Sequence, residues 1–509
     1  MAFWEATRLH KLTNWAPAGF GPTLKGSARR DFILQWMVVG AVGIALGVFT
    51  LAVSSLPQQW ALLSLLVVLF PFVAMIAGNV QRLLLGIIII EIPIQLDVYL
   101  RYQEEAAALG AIGGVNLSLT TLCLAVLYAL WLAELLAKKS TPRRPLVRLS
   151  LPLIAYLGAV MVSAIGARDT NLAGFQIFLL LQAFLLYLYV VHSVRSRQDI
   201  LFVVTMLIIG LILQSLMMIG VRFVGHDISV GNISARIDSF SRVSGTFGSP
   251  NAAGSYLTLL LAPAMSVLLT RVRPGYKWLA ALGFGLGSLA LIFTLSRGSW
   301  IGFVVSISIL CLLAWRRGWL SPTVPVIVVI LALILFLPLQ EVISVRLFGD
   351  DAGAAQSRIP LMRLAFRMIH DNPVLGVGAN NFSIMIQRYA TAEFGSEWLY
   401  TVHNQYLLLW AETGIVGLVA FIWLLLAILH RGWQSWKSAD RFLSPIALGF
   451  TAAILGHMAH MFVDFFIQRP QVQLLWLIAA LITAIHLESG KTRNAGESGA
   501  KNCVPSLTD

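Results

Sequence analysis

Fourteen stretches of this chain are apolar for long enough to cross the roughly 30 Å of a bilayer's hydrocarbon core, and little sequence is left over for anything else. They begin near Phe32, Trp60, Leu83, Leu117, Leu149, Leu172, Leu201, Ala252, Trp278, Trp300, Thr323, Gln405, Leu443 and Gln471, and the run from Leu83 carries Glu91, Pro93 and Asp97. The expected fold is an all-α integral membrane protein, a polytopic bundle of about 12–14 transmembrane helices. With 58% hydrophobic and 12% charged residues over 509 positions, one membrane protein fits better than a string of soluble domains.

A formal charge of +13 would point to nucleic acid in a soluble protein, but here it fits cationic loops beside anionic headgroups, so membrane lipids are expected partners and nucleic acid is not. Cys123, Cys311 and Cys503 have no spacing for zinc, haem or a disulfide framework, and no cofactor is expected. The first thirty residues contain no apolar core of signal-peptide length. Phe3, Trp4, Leu9, Leu12 and Trp15, mixed with Arg8 and Lys11, suit a short interfacial helix or a disordered tail. The layout read from these features is a basic cytoplasmic segment at 1–31, a transmembrane domain at 32–486 and a cytoplasmic tail at 487–509.

Lys and Arg set the orientation. With the N-terminus cytoplasmic, every inner segment carries at least one cation, and all the lysines are inner. The outer cations, Arg101, Arg168, Arg222, Arg236, Arg242, Arg297, Arg346, Arg358, Arg363, Arg367, Arg388 and Arg469, are all arginine. A planar guanidinium grips phosphate oxygens through a bidentate fork, which an ammonium cannot do. Two long outer segments, Gly225–Asn251 and the 340–404 loop, exceed what a connector needs. In the second, Leu361, Leu364, Ala365 and Met368 are spaced for one apolar helix face, with Arg363 and Arg367 opposite.

Arg242 opens Arg-Val-Ser-Gly-Thr-Phe-Gly-Ser-Pro-Asn, whose glycines let backbone N–H groups approach an anion just before a helix start. Arg297, in Leu-Ser-Arg-Gly-Ser-Trp, is held at the outer boundary between two apolar runs and needs an anionic partner or a route to the headgroups. His403 ends the long loop. An imidazole is largely neutral near pH 7 and can accept a proton from a hydroxyl. Glu412, nine residues further along the same run, calls for a buried partner, and a structural role suits it best. His457, His460 and Asp464, at spacings of three and four, are expected on one helical face, bonded to one another or to an acceptor or a metal. The outer acidic pairs Glu104-Glu105 and Asp350-Asp351 read as solvated loop charge.

The motifs Arg-Val-Ser-Gly-Thr-Phe-Gly-Ser-Pro-Asn, Leu-Ser-Arg-Gly-Ser-Trp, Asn-Pro-Val-Leu-Gly-Val-Gly and His-Asn-Gln-Tyr-Leu-Leu-Leu-Trp-Ala-Glu-Thr-Gly-Ile-Val-Gly, in this order over about Arg242 to Gly417, resemble the O-antigen ligase and polymerase superfamily. The resemblance implies a GT-C-like membrane glycosyltransferase in the bacterial inner membrane, with both termini cytoplasmic and its site periplasmic. It would transfer a glycan from an undecaprenyl-pyrophosphate carrier to a sugar hydroxyl, with inversion and without a metal. On that pattern Arg242 and Arg297 hold the pyrophosphate and His403 is the general base, while Asn251, Asn404, Gly376, Gly378, Arg363 and Arg367 complete the expected substrate-binding set. The acceptor is a growing glycan or lipid A core, and a chain-length regulator is a possible further partner. Two alternatives stand beside it: a transporter or flippase of lipid-linked oligosaccharides, and a protein O-oligosaccharyltransferase. A transporter would interrupt helices in both halves near the midplane. Here the titratable groups gather at one face.

Overall fold

The computed structural model describes residues 79–137, 146–230, 233–238, 240–321, 323, 358–390 and 400–501, all within the unit Ala77–Asp509. The N-terminal interfacial segment, the spans from Phe32, Trp60 and Thr323 (beyond Thr323 itself), the Asp350-Asp351 pair and residues 340–357 and 391–399 of the 340–404 loop lie outside the described residues.

Helix α1 (Val80–Ile94) starts at Asn79, whose side chain accepts from the Arg82 N–H, and ends where Pro93 and the left-handed Gln95 turn the chain out. Strands β1 (Asp97–Leu100) and β2 (Val115–Ser118) pair antiparallel, with Asp97 opposite Ser118, and enclose the short α2 (Glu104–Ala108). Ser118 then caps α3 (Leu119–Leu136) through a reciprocal box with Thr121. Next come α4 (Leu146–Ser163), α5 (Thr170–Ser193), capped by Asp169, and α6 (Arg197–Val224), which the Ser196–Asp199 box opens and Gly225 closes at φ 79. The long outer segment from Gly225 folds into three short antiparallel strands, β3 (Ile228–Val230), β4 (Ile233–Ile237) and β5 (Val243–Gly245).

Three apolar helices follow: α7 (Pro250–Leu268), with proline at its first position, α8 (Pro274–Phe293) and α9 (Arg297–Arg316). The amphipathic α10 (Arg358–Asp371) buries Leu361, Leu364, Ala365, Met368 and Ile369, the face its spacing predicts. After α11 (Phe382–Tyr389) the chain returns to the bundle through α12 (Gln405–Trp436), α13 (Leu443–His460) and α14 (Arg469–Lys501). The last of these continues as helix beyond His486, where the apolar run ends and a tail was expected.

Nine of the described helices, α3, α5 to α9 and α12 to α14, are long and apolar enough to cross a membrane. All nine answer to predicted runs. The run from Leu83 is only the 15-residue α1, and that from Leu149 has an apolar stretch, Ser150–Gly166, below span length. The architecture is therefore an all-α polytopic bundle with two small antiparallel ladders outside it.

Helices α7, α13 and α14 form the interior, each with 83% of its apolar window buried, against 22% for α3 and 28% for α8 at the periphery. Where α9 crosses α13 the contact is backbone on backbone: a Cβ on Gly302 would stand 2.9 Å from the Gly456 carbonyl. The connections sort into two groups. One joins Arg82 to Asp199, Arg197 to Asp440 and Arg317 to the Trp436 carbonyl, so the predicted inner segments meet at one end. At the other end, Gln95 donates to the Thr246 carbonyl, Gln103 to Asp169 and Arg242 to the Thr294 carbonyl.

Candidate functional site

At this second end, the turn between α13 and α14 is the anchor on which His403 is mounted. Helix α13 stops at His460, and the N–H groups of Met461, Phe462 and Val463 fold back onto His457, Ala459 and His460 carbonyls. Asn404 caps α12, accepting from the Tyr406 and Leu407 N–H groups, each at 3.0 Å, and donates to the Phe462 carbonyl at 2.9 Å. Gln405 N–H reaches the Met461 and Asp464 carbonyls. The residue before the cap is His403.

Its Nδ1 lies 3.0 Å from Asp464 Oδ1, with the histidine side chain 25% exposed and the aspartate 6%. Tyr400 stacks on the imidazole at 5.6 Å and 18°, and Phe465 closes another side at 5.6 Å. Burial alone would raise the Asp464 carboxyl, but the hydrogen bond and charge of His403, with His460 and the Phe465 N–H, hold it below its ordinary value. A carboxylate facing Nδ1 requires the proton there, which leaves Nε2 as the free acceptor.

Arg242 and Arg297 meet at the α8–α9 corner. Arg242, just before β5, donates through Nε to the Thr294 carbonyl at 3.3 Å and through Nη2 to Asn251 Oδ1 at 2.9 Å, with Asp238 at 4.0 Å. Thr294 belongs to the same short corner as Arg297, the first residue of α9 after its cap Ser296. Beside it, Gly298 lies against His460: a Cβ there would come within 2.7 Å of the ring. Arg358, at the head of α10, donates to the Val463 carbonyl at 3.1 Å. The fold thus ties Arg242, Asn251 and Arg297 to one corner, packs that corner on the end of α13, and mounts His403 on the following turn.

Several predicted site residues take other places. Asp464 lies past the end of α13, off the helical face expected for it with His457 and His460, because the chain turns at Met461. His457 Nδ1 instead faces Ser255 Oγ at 3.3 Å, and neither nitrogen of the fully buried His460 has a hydrogen-bond partner among the described residues. Gly376 and Gly378, both at positive φ, approach their neighbours closely. A Cβ on the first would collide with the Glu412–Thr413 backbone, and one on the second with Ala167 at 2.5 Å. Their segment is stitched to a break in α12 at Gly414, with Val377 N–H on the Ala411 carbonyl at 2.8 Å, Gly378 N–H on that of Glu412 at 3.0 Å and Ile415 N–H on that of Pro373 at 2.9 Å. The Glu412 side chain accepts from Phe382 N–H at 3.1 Å and so caps α11, a structural role with a loop amide as partner. Arg367 donates to the Tyr389 carbonyl, and with His370, Asp371, Arg388 and Phe366 it lines an open cleft of about 600 Å³; Arg363 is exposed on the same helix.

One group escaped notice in the sequence. The Arg469 guanidinium, 2% exposed, forks onto Glu91 at 2.9 and 3.0 Å and onto Asp97 at 2.8 and 3.1 Å, with Thr120 and Asn116 completing the carboxylate bonds. The only signal was an acidic pair in an apolar run and an arginine at the head of another. Among the described residues no three His, Cys, Asp or Glu side chains are placed to hold a metal ion.

Among the described residues, nine helices long and apolar enough to cross a membrane, with polar residues gathered at one end, fit a multi-pass membrane protein. Residues 282–422 match a family model described as O-antigen ligase, so this part of the chain is similar to the O-antigen ligase and polymerase superfamily, and the match supports a general role in glycan transfer at a membrane. The match takes in Arg297, His403 and Glu412 and stops short of Arg242 and Asp464. No curated protein matches the chain.

Proposed function

We propose that the protein transfers a glycan from an undecaprenyl-pyrophosphate carrier to a sugar hydroxyl on the periplasmic side of the inner membrane. The observation that carries this reading is the His403–Asp464 pair, which orients an imidazole with Nε2 free at the end of the molecule where the arginines gather. In the proposed step Nε2 takes the proton of the acceptor hydroxyl, whose oxygen forms a bond to the anomeric carbon as the bond from that carbon to the phosphate oxygen breaks. The carrier pyrophosphate leaves with the electron pair, and attack opposite the leaving group inverts the centre. Asp464 stabilises the imidazolium that forms, as an orienting carboxylate does in hydrolytic triads. Arg297 and Arg242 face the leaving charge, with Arg358 beside them as a third cation.

Purified protein incubated with carrier-linked repeat units alone, then with lipid A core added, separates the possibilities when products are resolved by size. A ladder from donor alone identifies a polymerase. Product only with core identifies a ligase. The His403→Ala variant is expected to make neither, and full activity in it overturns the reading.

A further inference from the structure

Outside the catalytic pair, the β1–α2–β2 cap encloses a cleft of about 390 Å³ lined by Tyr99, Tyr102, Ala107, Ala111, Gly113 and Gln468. Its size falls within the roughly 300–1,000 Å³ of small-molecule sites, and none of the lining side chains is charged. In a continuous strand, residues three apart point to opposite faces. Here Arg101 takes a left-handed conformation at φ 54, and the rings of Tyr99 and Tyr102 meet edge to face at 5.5 Å. Such a backbone is strained for a residue with a side chain and persists where surrounding structure enforces it. Gly113 leaves the room: a Cβ there would stand 2.8 Å from the Tyr102 ring and 2.7 Å from Ala107.

The loop that lines the cleft is bonded to the His403 segment. Thr401 bonds the Leu109 carbonyl through both its N–H and its hydroxyl, at 3.0 and 2.8 Å, and a Cβ on Gly110 would stand 3.0 Å from the Tyr400 ring, which stacks on His403. From the other side Gln468 enters out of the turn that carries Asp464.

We propose that this cleft is a saccharide subsite, in which the tyrosine faces hold the C–H face of a sugar ring and the tyrosine hydroxyls and the Gln468 amide bond its hydroxyl edge. Aromatic faces with a polar rim suit a ligand apolar on one side and hydroxylated on the other. The neutral lining disfavours a phosphate, which the arginines elsewhere would take. The Tyr99 hydroxyl, like any phenol, is protonated at neutral pH and can donate as well as accept. The inference rests on the transferase reading, since it supposes that a glycan passes this end of the molecule.

The test is saturation-transfer NMR on the full-length protein in detergent, with two probes prepared from the producing cell: carrier-free O-polysaccharide repeat units and delipidated core oligosaccharide. Tyr102→Ala and Gly113→Ala are expected to weaken binding of one probe at least tenfold, while Tyr102→Phe retains most of it. The probe affected identifies the subsite as donor or acceptor. Steady-state transfer should show the same loss as a raised KM with kcat largely kept. Unchanged binding of both probes in Tyr102→Ala and Gly113→Ala overturns the proposal and leaves these tyrosines as part of an interfacial aromatic belt. Binding is read equally in His403→Ala, so a failure of the transferase reading and a failure of the subsite give different results.

Discussion

His403 and Asp464 are 61 positions apart in the chain and 3.0 Å apart in space, and their contact fixes which imidazole nitrogen can take a proton. Asp464→Asn keeps the shape and removes the charge that selects this tautomer. Transfer is expected to fall by about 100- to 10,000-fold, the range for loss of an oriented general base, with unchanged abundance, as measured by turnover against immunoblot. The carboxyl is depressed in the folded state, so its contribution to stability is complete above the unfolded value of about 3.9 and is lost as pH falls through the folded one. Melting temperature should therefore drop more steeply below about pH 4 in the wild type than in Asp464→Asn, which scanning fluorimetry reads. Arg297→Lys keeps a cation but loses the fork. We expect transfer to fall on the order of 100-fold, as when a transition-state donor is removed, and wild-type turnover would remove Arg297 from the phosphate site. Of these residues the sequence put forward His403, Arg242 and Arg297 as candidates, through motifs made of neighbouring positions. The partner of His403 was hidden because Asp464 sits at helical spacing from His460, and only the stop at Met461 turns it away.

At the scale of elements, hydrophobic length alone was enough to locate every span among the described residues, and the 3.6-residue period located α10 and its buried face. What length and period cannot carry is docking. The Pro373–Gly378 segment is bound to the backbone of α12 by hydrogen bonds that no side-chain pattern announces, and close approach to that backbone requires Gly376, as approach to Ala167 requires Gly378. The short ladders in the outer segments were likewise invisible, because three to five residues per strand leave too little alternation to read. Arg469 joins α14 to α1 and β1 through a fully buried fork. Arg469→Ala would leave Glu91 and Asp97 buried without their cation, at a cost of about 3–5 kcal/mol. Low abundance and a lowered melting temperature in detergent are expected, with recovery when Glu91→Gln and Asp97→Asn are added. No recovery in the triple variant would place the role of Arg469 outside this ion pair.

For the whole molecule, the two polar ends make a topology that labelling can test. With the native cysteines replaced, Glu105→Cys at the His403 end should react with a membrane-impermeant maleimide in intact spheroplasts, and Ala439→Cys at the opposite end only after lysis. The reverse pattern would put the site on the cytoplasmic face. The Arg469 fork also bears on how the chain is made. Glu91 precedes its counter-ion by 378 residues, so at about 5–20 residues per second the ribosome delivers the arginine roughly 20 to 75 s after the glutamate. During that interval the nascent protein holds an acidic group in its first helices with no cation to meet it. The early spans can be threaded into the bilayer in order and pack on one another, but the ion pair that joins α14 to α1 and β1 closes only when the last span arrives, and a chain cut short before α14 keeps both carboxylates without their arginine.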